Sequence, residues 1–466
     1  MKAKVEVVWI VLCCVLTVII CGYFSLDRTV WMDEAMLARN IVSKSFLELT
    51  KPLEFEQSAP VLYLLVAKLF WLVYPDENSL RLLSLIVSTG SVYFLSKYLL
   101  ERGISGYTVI LIVSLVISNY HFIRFSTEIK PYILDVLACV CLPTILYKNK
   151  WFCSAALVAL FPWLSNVSIF VIISILLHMA WTQKPYRRID VAKVSLPFIA
   201  SVLALYFSIA RQHPLRVFMR QYWTDDGGLY GGESFIDLTR YVYHVVIRIS
   251  NVCTGLDAPY ISVPLLIFFI VIAIRSVRIQ FLVVCLIIQF VASLFGVYPI
   301  AQRLVLVAVP LIAFCFAHLI TQEDTKKYRI FTRLVCGVIV ITSFFSGMKH
   351  RPADLDSLSA AQVRKTLGYE GRLVYVSLGA KHTFNYYLET KQVAALRNVV
   401  YGGSLDVREI AKESSALSGN FIFIHTHSNS VAEISRLVEL MSDSGVKCSV
   451  VHRTQNSLIM DCRYRK

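Results

Sequence analysis

The chain has 466 residues, of which 56% are hydrophobic and 17% charged, with a mean hydropathy of +0.62. Soluble domains carry about 45–50% apolar and about 25% charged residues, so an ordinary soluble protein is excluded. Uncharged runs recurring from Val7 to about Phe345 mark a polytopic α-helical membrane protein. The net charge of +15 sits largely in short loops between apolar runs, the orientation signal of membrane proteins, and not in a nucleic-acid-binding patch.

Residues 1–4 form a short basic start before about twenty apolar residues with no small-residue cleavage site. This predicts an uncleaved signal anchor with its N-terminus in the cytoplasm. The first span, about 7–26, delivers the stretch Trp31-Met32-Asp33-Glu34-Ala35 to the outside. From 35 to 49 apolar residues recur at Ala35, Ala38, Val42, Phe46 and Leu49, the period of a helix lying in the interface.

The apolar run 60–74 decides the topology. As a helix it rises about 22 Å, short of the roughly 30 Å hydrocarbon core. If it does not cross, further spans follow at about 79–98, 107–120, 131–147, 151–163, 165–181, 194–210, 260–274, 280–297, 303–320 and 330–347. The basic loops at Arg102, Lys148/Lys150, Lys184 to Lys193, Arg275/Arg278 and Lys326 to Arg329 then all lie inside. Were it to cross, all would move outside. The run therefore reads as a second interfacial or re-entrant helix, and the protein as one of about eleven spans.

The exterior then receives the acidic loop 27–78, the segment 121–130, the long loop 211–259 and everything after Lys349. Four glycines within Asp225-Asp226-Gly227-Gly228-Leu229-Tyr230-Gly231-Gly232 predict a mobile loop without phosphate-loop spacing. A membrane domain over 1–350 and a small α/β domain over 351–466 follow. In the latter, strands are predicted at 373–378 and 421–425, helices at 406–417 and 431–442, and a hairpin from 448–453 and 457–463. If the hairpin turns about Gln455, Cys448 and Cys462 face each other and can form a disulfide in an oxidising exterior; otherwise both are unpaired thiols. Most of the twelve cysteines lie in apolar segments as small hydrophobes. No CxxC or His/Cys spacing requires a metal, though His425 and His427 alternate along a predicted strand.

Three clusters carry possible chemistry. Asp33 and Glu34 stand where an apolar span meets water. They serve either as helix cap and first-turn acid, or as a general base that takes a proton from an attacking hydroxyl. Arg124, Glu128 and Lys130 precede Pro131-Tyr132 and either bind an anionic head group or form an interfacial charge belt. Arg303, at the outer mouth of an apolar helix after Tyr298-Pro299, can pair with a phosphate.

Read in order, W-M-D-E-A, E-Q-S-A-P, N-S-L-R-L-L-S, S-T-E-I-K-P-Y and Y-P-x-x-x-R form one pattern. The membrane part resembles the GT-C superfamily of polyprenyl-phosphate-sugar-dependent glycosyltransferases. Its likeness is to the bacterial branch related to aminoarabinose–lipid A transferases and protein O-mannosyltransferases. The resemblance implies an enzyme of the inner membrane with an outward-facing cavity. It would take a polyprenyl-phosphate sugar and an extracytoplasmic lipid, glycan or protein acceptor. It makes Asp33 the base, with Glu34 its neighbour and Glu128 the second external carboxylate. Arg124, Lys130, Arg303 and Lys68 are the candidate donor-phosphate ligands, and Gln57, Tyr63, Tyr132 and Tyr298 the candidate substrate contacts. Thr127 and Lys130 stand where members commonly carry Gln and Arg. No cofactor is implied, and a divalent ion remains compatible. The competing readings are a lipid-linked glycan ligase or polymerase, and a transporter or flippase; charges gathered at the outer surface and no visible repeat favour transfer.

Overall fold

Length and apolarity together decide which helices can cross a bilayer, and the longest ones do both. This computed structural model describes residues 2–25, 28–147, 151–182, 185–211, 216–277, 279–322, 326–349, 362–363, 372–390, 398–404, 406–417, 419–426, 431–453 and 457–464. The protein is a polytopic α-helical membrane protein with a small C-terminal α/β domain. His427, Gln455 and the loop cations Lys148, Lys150, Lys184 and Arg278 lie outside the described residues.

In chain order the helices begin with α1 (Lys2–Ser25), α2 (Met32–Ser43), α3 (Val61–Val73) and α4 (Glu77–Glu101). Then come α5 (Gly106–Ile117), α6 (Tyr120–Ser126), α7 (Ile133–Leu146), α8 (Trp151–Leu160), α9 (Ser168–Thr182) and α10 (Pro185–Leu205). They continue with α11 (Arg216–Asp225), α12 (Phe235–Thr254), α13 (Pro259–Arg275), α14 (Gln280–Leu294), α15 (Val309–Gln322) and α16 (Lys326–Lys349). Among the described residues, four helices are long and apolar enough to cross, or up to six if two bent pairs each count as one span. The bent pairs are α5 with α6, at 74°, and α12 with α13, at 80°. Several expected spans, α7, α9 and α14 among them, are apolar helices of 10–17 residues, too short for a straight crossing.

Three local expectations need correction. The helix expected over 35–49 begins earlier and ends sooner, as α2, with a separate 3-10 turn at Glu48–Thr50. The long loop expected over 211–259 is instead two helices, α11 and α12. In α12, Tyr241, Val245, Ile249 and Val252 are buried along one stripe while Arg240, His244 and Arg248 interrupt the sequence. One-sided burial leaves a composition that resembles a loop. The glycine segment after α11 is held by hydrogen bonds rather than loose. Gly228 N–H donates to the Trp223 carbonyl at 2.8 Å, and the Gly228 carbonyl accepts from Ile300 N–H at 2.7 Å.

The chain divides into two compact bodies. The first contains Met1–Tyr23, Ser45–Ala67 and Arg81–His350. In it α8, α9 and α10 pack together, α9 lies against α14, and α5 lies against α15 and α16. Helix α15 is buried nearly throughout, from Val309 to Ala317. A 3-10 turn, Phe161–Trp163, follows α8 and α9 opens at Ser168, so the break includes the boundary expected between 163 and 165.

The second body contains Phe24–Lys44, Lys68–Leu80 and Arg351–Lys466. Its tail forms a five-stranded sheet of order β2-β1-β3-β5-β4. The strands are β1 (Leu373–Val376), β2 (Val399–Tyr401), β3 (Phe421–Thr426), β4 (Val446–Arg453) and β5 (Ser457–Tyr464). β2, β1 and β3 run parallel, while the β4–β5 hairpin joins antiparallel. Helices α17 (Leu378–Thr390), α18 (Val407–Ser415) and α19 (Val431–Asp443) connect them. Tyr375, Phe421, Phe423, Ile434, Leu437 and Met460 form the core with α18 and α19, and the Tyr375 and Phe423 rings stack at 5.4 Å. β2 and α17 were not expected from the sequence. Cys448 and Cys462 are directly paired in register and joined by a disulfide.

Candidate active site

In the first body a capped bend sets the geometry. The Asn119 side chain accepts from the N–H groups of His121 and Phe122 at the start of α6 and donates to the Val252 carbonyl at 2.9 Å. This satisfies amides that a helix start leaves orphaned and fixes α6 against α12. One turn on, Arg124 Nε donates to Glu128 Oε1 at 2.8 Å, with the carboxylate buried. Ser84 Oγ donates to the carbonyls of Glu128, at 2.7 Å, and Lys130, at 3.4 Å. The segment from Thr127 to Lys130 is thus held at its backbone, and the Glu128 charge is balanced by Arg124.

Lys130 is 3% and Gln57 8% exposed, and Lys130 Nζ donates to Gln57 Oε1 at 2.8 Å. Gln57 is delivered by an unusual turn. Phe55 and Glu56 have φ of 59° and 58°, and two consecutive non-glycine residues in the left-handed region cost of order 1–3 kcal/mol each. The Gln57 amide Nε2 also donates to the Phe55 carbonyl at 3.3 Å.

A ladder of rings and cations continues from this point. The Arg124 guanidinium lies 5.3 Å from the Phe125 ring, Phe125 meets Tyr132 edge-on at 5.3 Å, and Arg303 lies 6.0 Å from the Tyr132 ring. Arg303 also sits 5.1 Å from Trp223, within range of cation–π attraction. Trp223 is brought there by the glycine turn. Gly227 has φ of +71°, and a Cβ on Gly228 would meet Trp223 at 3.2 Å and Pro299 at 3.3 Å. Arg248 binds this turn to the segment of Arg303, donating to the carbonyls of Gly227 at 3.0 Å, Ile300 at 2.9 Å and Asp226 at 2.6 Å. Tyr298 packs on Phe170 at 4.9 Å, and Tyr63 is buried in α3.

In the second body, Asp33 lies half-buried in the first turn of α2 and Glu34 is buried behind it. Glu34 Oε2 accepts from Trp31 N–H at 3.4 Å and lies 3.7 Å from Arg28 Nη2, both side chains fully enclosed. Glu34 therefore closes the helix start, while Asp33 occupies the more accessible position. Lys68 belongs to this body too. Its Nζ donates to the Val42 carbonyl at 2.7 Å, in the last turn of α2, where a cation complements the helix end.

The structure thus brings Gln57, Arg124, Glu128, Lys130, Tyr132 and Arg303 into one array within the first body. Asp33, Glu34 and Lys68 share α2 and its supports in the second. Sequence reading missed Arg28, Ser84, Trp223 and Arg248. Arg28 was visible as a cation close to an acidic pair, and Arg248 would have emerged once α12 was read as a one-sided helix. The serine carried no local signal. Among the described residues no group of three or more His, Cys, Asp or Glu side chains could hold a metal ion.

No family model and no curated protein matches the chain. Solved structures do. The apo structure of ArnT from Cupriavidus metallidurans matches with a TM-score of 0.50 at 10% identity, covering 97% of each chain. The ArnT structure bound to undecaprenyl phosphate matches with a TM-score of 0.49 at 10% identity, covering 97% of this chain and 98% of that one. Over nearly its whole length, the chain is similar in fold to apo ArnT, a likeness that includes membrane helices and tail alike.

Proposed function

We propose that this protein is an inner-membrane glycosyltransferase that moves a sugar from a polyprenyl-phosphate donor to a hydroxyl of an extracytoplasmic lipid, glycan or protein. The observation that carries the reading is the array Arg124–Glu128, Lys130–Gln57 and Arg303 over Tyr132 and Trp223. The array gathers three cationic side chains that can meet a phosphate, and the rings beside them suit a sugar face. A polyprenyl phosphate, the ligand named for ArnT, has the matching chemistry. Three motifs of the GT-C resemblance, those holding Gln57, Glu128 to Tyr132, and Arg303, fall within this array.

In the proposed reaction the Asp33 carboxylate takes the proton of the acceptor hydroxyl. The oxygen attacks the anomeric carbon, and the bond from that carbon to the phosphate oxygen breaks with inversion. The electron pair leaves with polyprenyl phosphate, whose oxygens gain charge. Lys130, Arg303 and Arg124 would stabilise that charge. In this reading the N-terminus is cytoplasmic and the tail outside, which the basic residues of the short loops support.

Mass spectrometry of envelope glycans and lipids tests this. A strain lacking the protein loses one sugar modification. The wild-type chain restores it, and Asp33→Asn, present in the membrane at equal abundance, does not. A wild-type level of product from Asp33→Asn would sink the base assignment; an unchanged envelope in the deletion strain would sink the transferase reading.

A further inference from the structure

The second body joins two segments far apart in sequence, and their contact gives the C-terminal domain a task. Within this body α2 packs along α17. The Val30 N–H, just before α2, donates to Tyr387 Oη at 3.2 Å in a buried bond. Past the middle of α2, Arg39 meets Glu389 through two bonds, Nε to Oε2 at 3.0 Å and Nη2 to Oε1 at 2.6 Å. Arg39 Nη1 also lies 3.4 Å from His382 Nδ1. Arginine only donates, so Nδ1 accepts and the His382 proton is on Nε2.

A helix of 12 residues is marginal by itself, since nucleation outweighs the gain from so few turns. Its direction therefore depends on what holds it. One anchor stands three residues before Asp33 and the other six residues after it. A forked guanidinium–carboxylate pair fixes angle as well as distance. Lys68 on the Val42 carbonyl holds the far end.

We propose that the C-terminal domain positions Asp33 by clamping α2, with Arg39, Glu389 and Tyr387 as positioning residues. This rests on Asp33 being the base. The tail is then more than an appendage, because it fixes the direction of the helix that carries the carboxylate.

The full-length protein in nanodiscs, with hydrogen–deuterium exchange read on peptides covering residues 30–43, tests the clamp. Product is measured in parallel in the complemented strain at equal membrane abundance. Arg39→Ala and Tyr387→Phe are each expected to speed exchange in α2 at least tenfold, with the membrane helices unchanged, and to lower product at least tenfold. Arg39→Lys keeps the charge but not the fork and falls between. The swap Arg39→Glu with Glu389→Arg restores both readouts. Should Arg39→Ala fail to fold, Tyr387→Phe, which removes one hydroxyl, carries the test. Unchanged exchange in α2, or full product from the Arg39→Ala and Tyr387→Phe variants, overturns the clamp. Product from Asp33→Asn overturns the base assignment instead, so the two failures are separate.

Discussion

Lys130 donates to Gln57 across 73 residues of chain at 2.8 Å, with both side chains buried. The Lys130 ammonium thus meets a neutral amide, where the Arg124 guanidinium meets the Glu128 carboxylate. The strained turn at Phe55-Glu56 delivers this amide.

Gln57→Glu tests whether this contact sets the site's charge. The new carboxylate would stand where Oε1 stands now and add a negative charge beside Lys130 without emptying the space. Product in the complemented strain is expected to fall about tenfold or more while thermal stability is unchanged or higher. Lys130→Met removes the charge and the hydrogen bond to the Gln57 oxygen. It should cost about 1–3 kcal/mol of stability and about a hundredfold in product, the order found when one charge-stabilising donor is lost. Undiminished product from Gln57→Glu would show that the Lys130 charge is not used.

Arg303 and Trp223 should act as a pair. Arg303→Lys keeps the charge but loses the planar guanidinium that stacks on the ring. Trp223→Ala removes the ring. Each is expected to lower product about five- to tenfold, and the double variant should be little worse than either single one. A double variant whose loss equals the two single losses multiplied would mean that the residues act independently.

What could be read in advance divides by range along the chain. The hairpin strands and the Cys448–Cys462 register follow from local periodicity and are present, whereas of the eleven or so spans expected, four described helices, or up to six counting the bent pairs, are long and apolar enough to cross. The start of α2 was harder, because Trp31 replaces the usual polar cap and the acid closing the start is Glu34, three residues on. α12 was missed for a different reason: its stripe buries only one side, so composition hides it. The site's long-range pairs had no local trace. Gln57 with Lys130, Arg248 with the Gly227 carbonyl and Arg39 with Glu389 join side chains that only the folded chain brings together.

The disulfide gives a measurement of topology. Among the described residues ten other cysteines are free. Denatured protein alkylated without reductant should therefore take up ten labels, and twelve after reduction. Uptake of twelve without reduction would place the tail in a reducing compartment, against the proposed orientation. Closing a loop over a separation of 14 residues is worth about 3 kcal/mol in the chain-entropy account. Cys448→Ser with Cys462→Ser should accordingly lower the unfolding midpoint of the C-terminal domain.

His382 makes the clamp sensitive to acid. Burial, with the charges of Arg39 and Lys381 beside it, pushes its pKa down from 6.5 to about 4. Glu389 faces Arg39 from the same helix, α17, so protonated His382 would bring a third positive charge against one acid. The folded value lies below the unfolded one, so the unfolded chain binds the extra proton first as pH falls. The stability His382 contributes is full above about pH 6.5 and is lost as pH falls toward about 4. His382→Asn leaves an acceptor near Nδ1 but cannot titrate. The unfolding midpoint of the wild type should drop between pH 7 and pH 4.5 by more than that of His382→Asn. Parallel curves for the two proteins would mean that His382 carries no linkage.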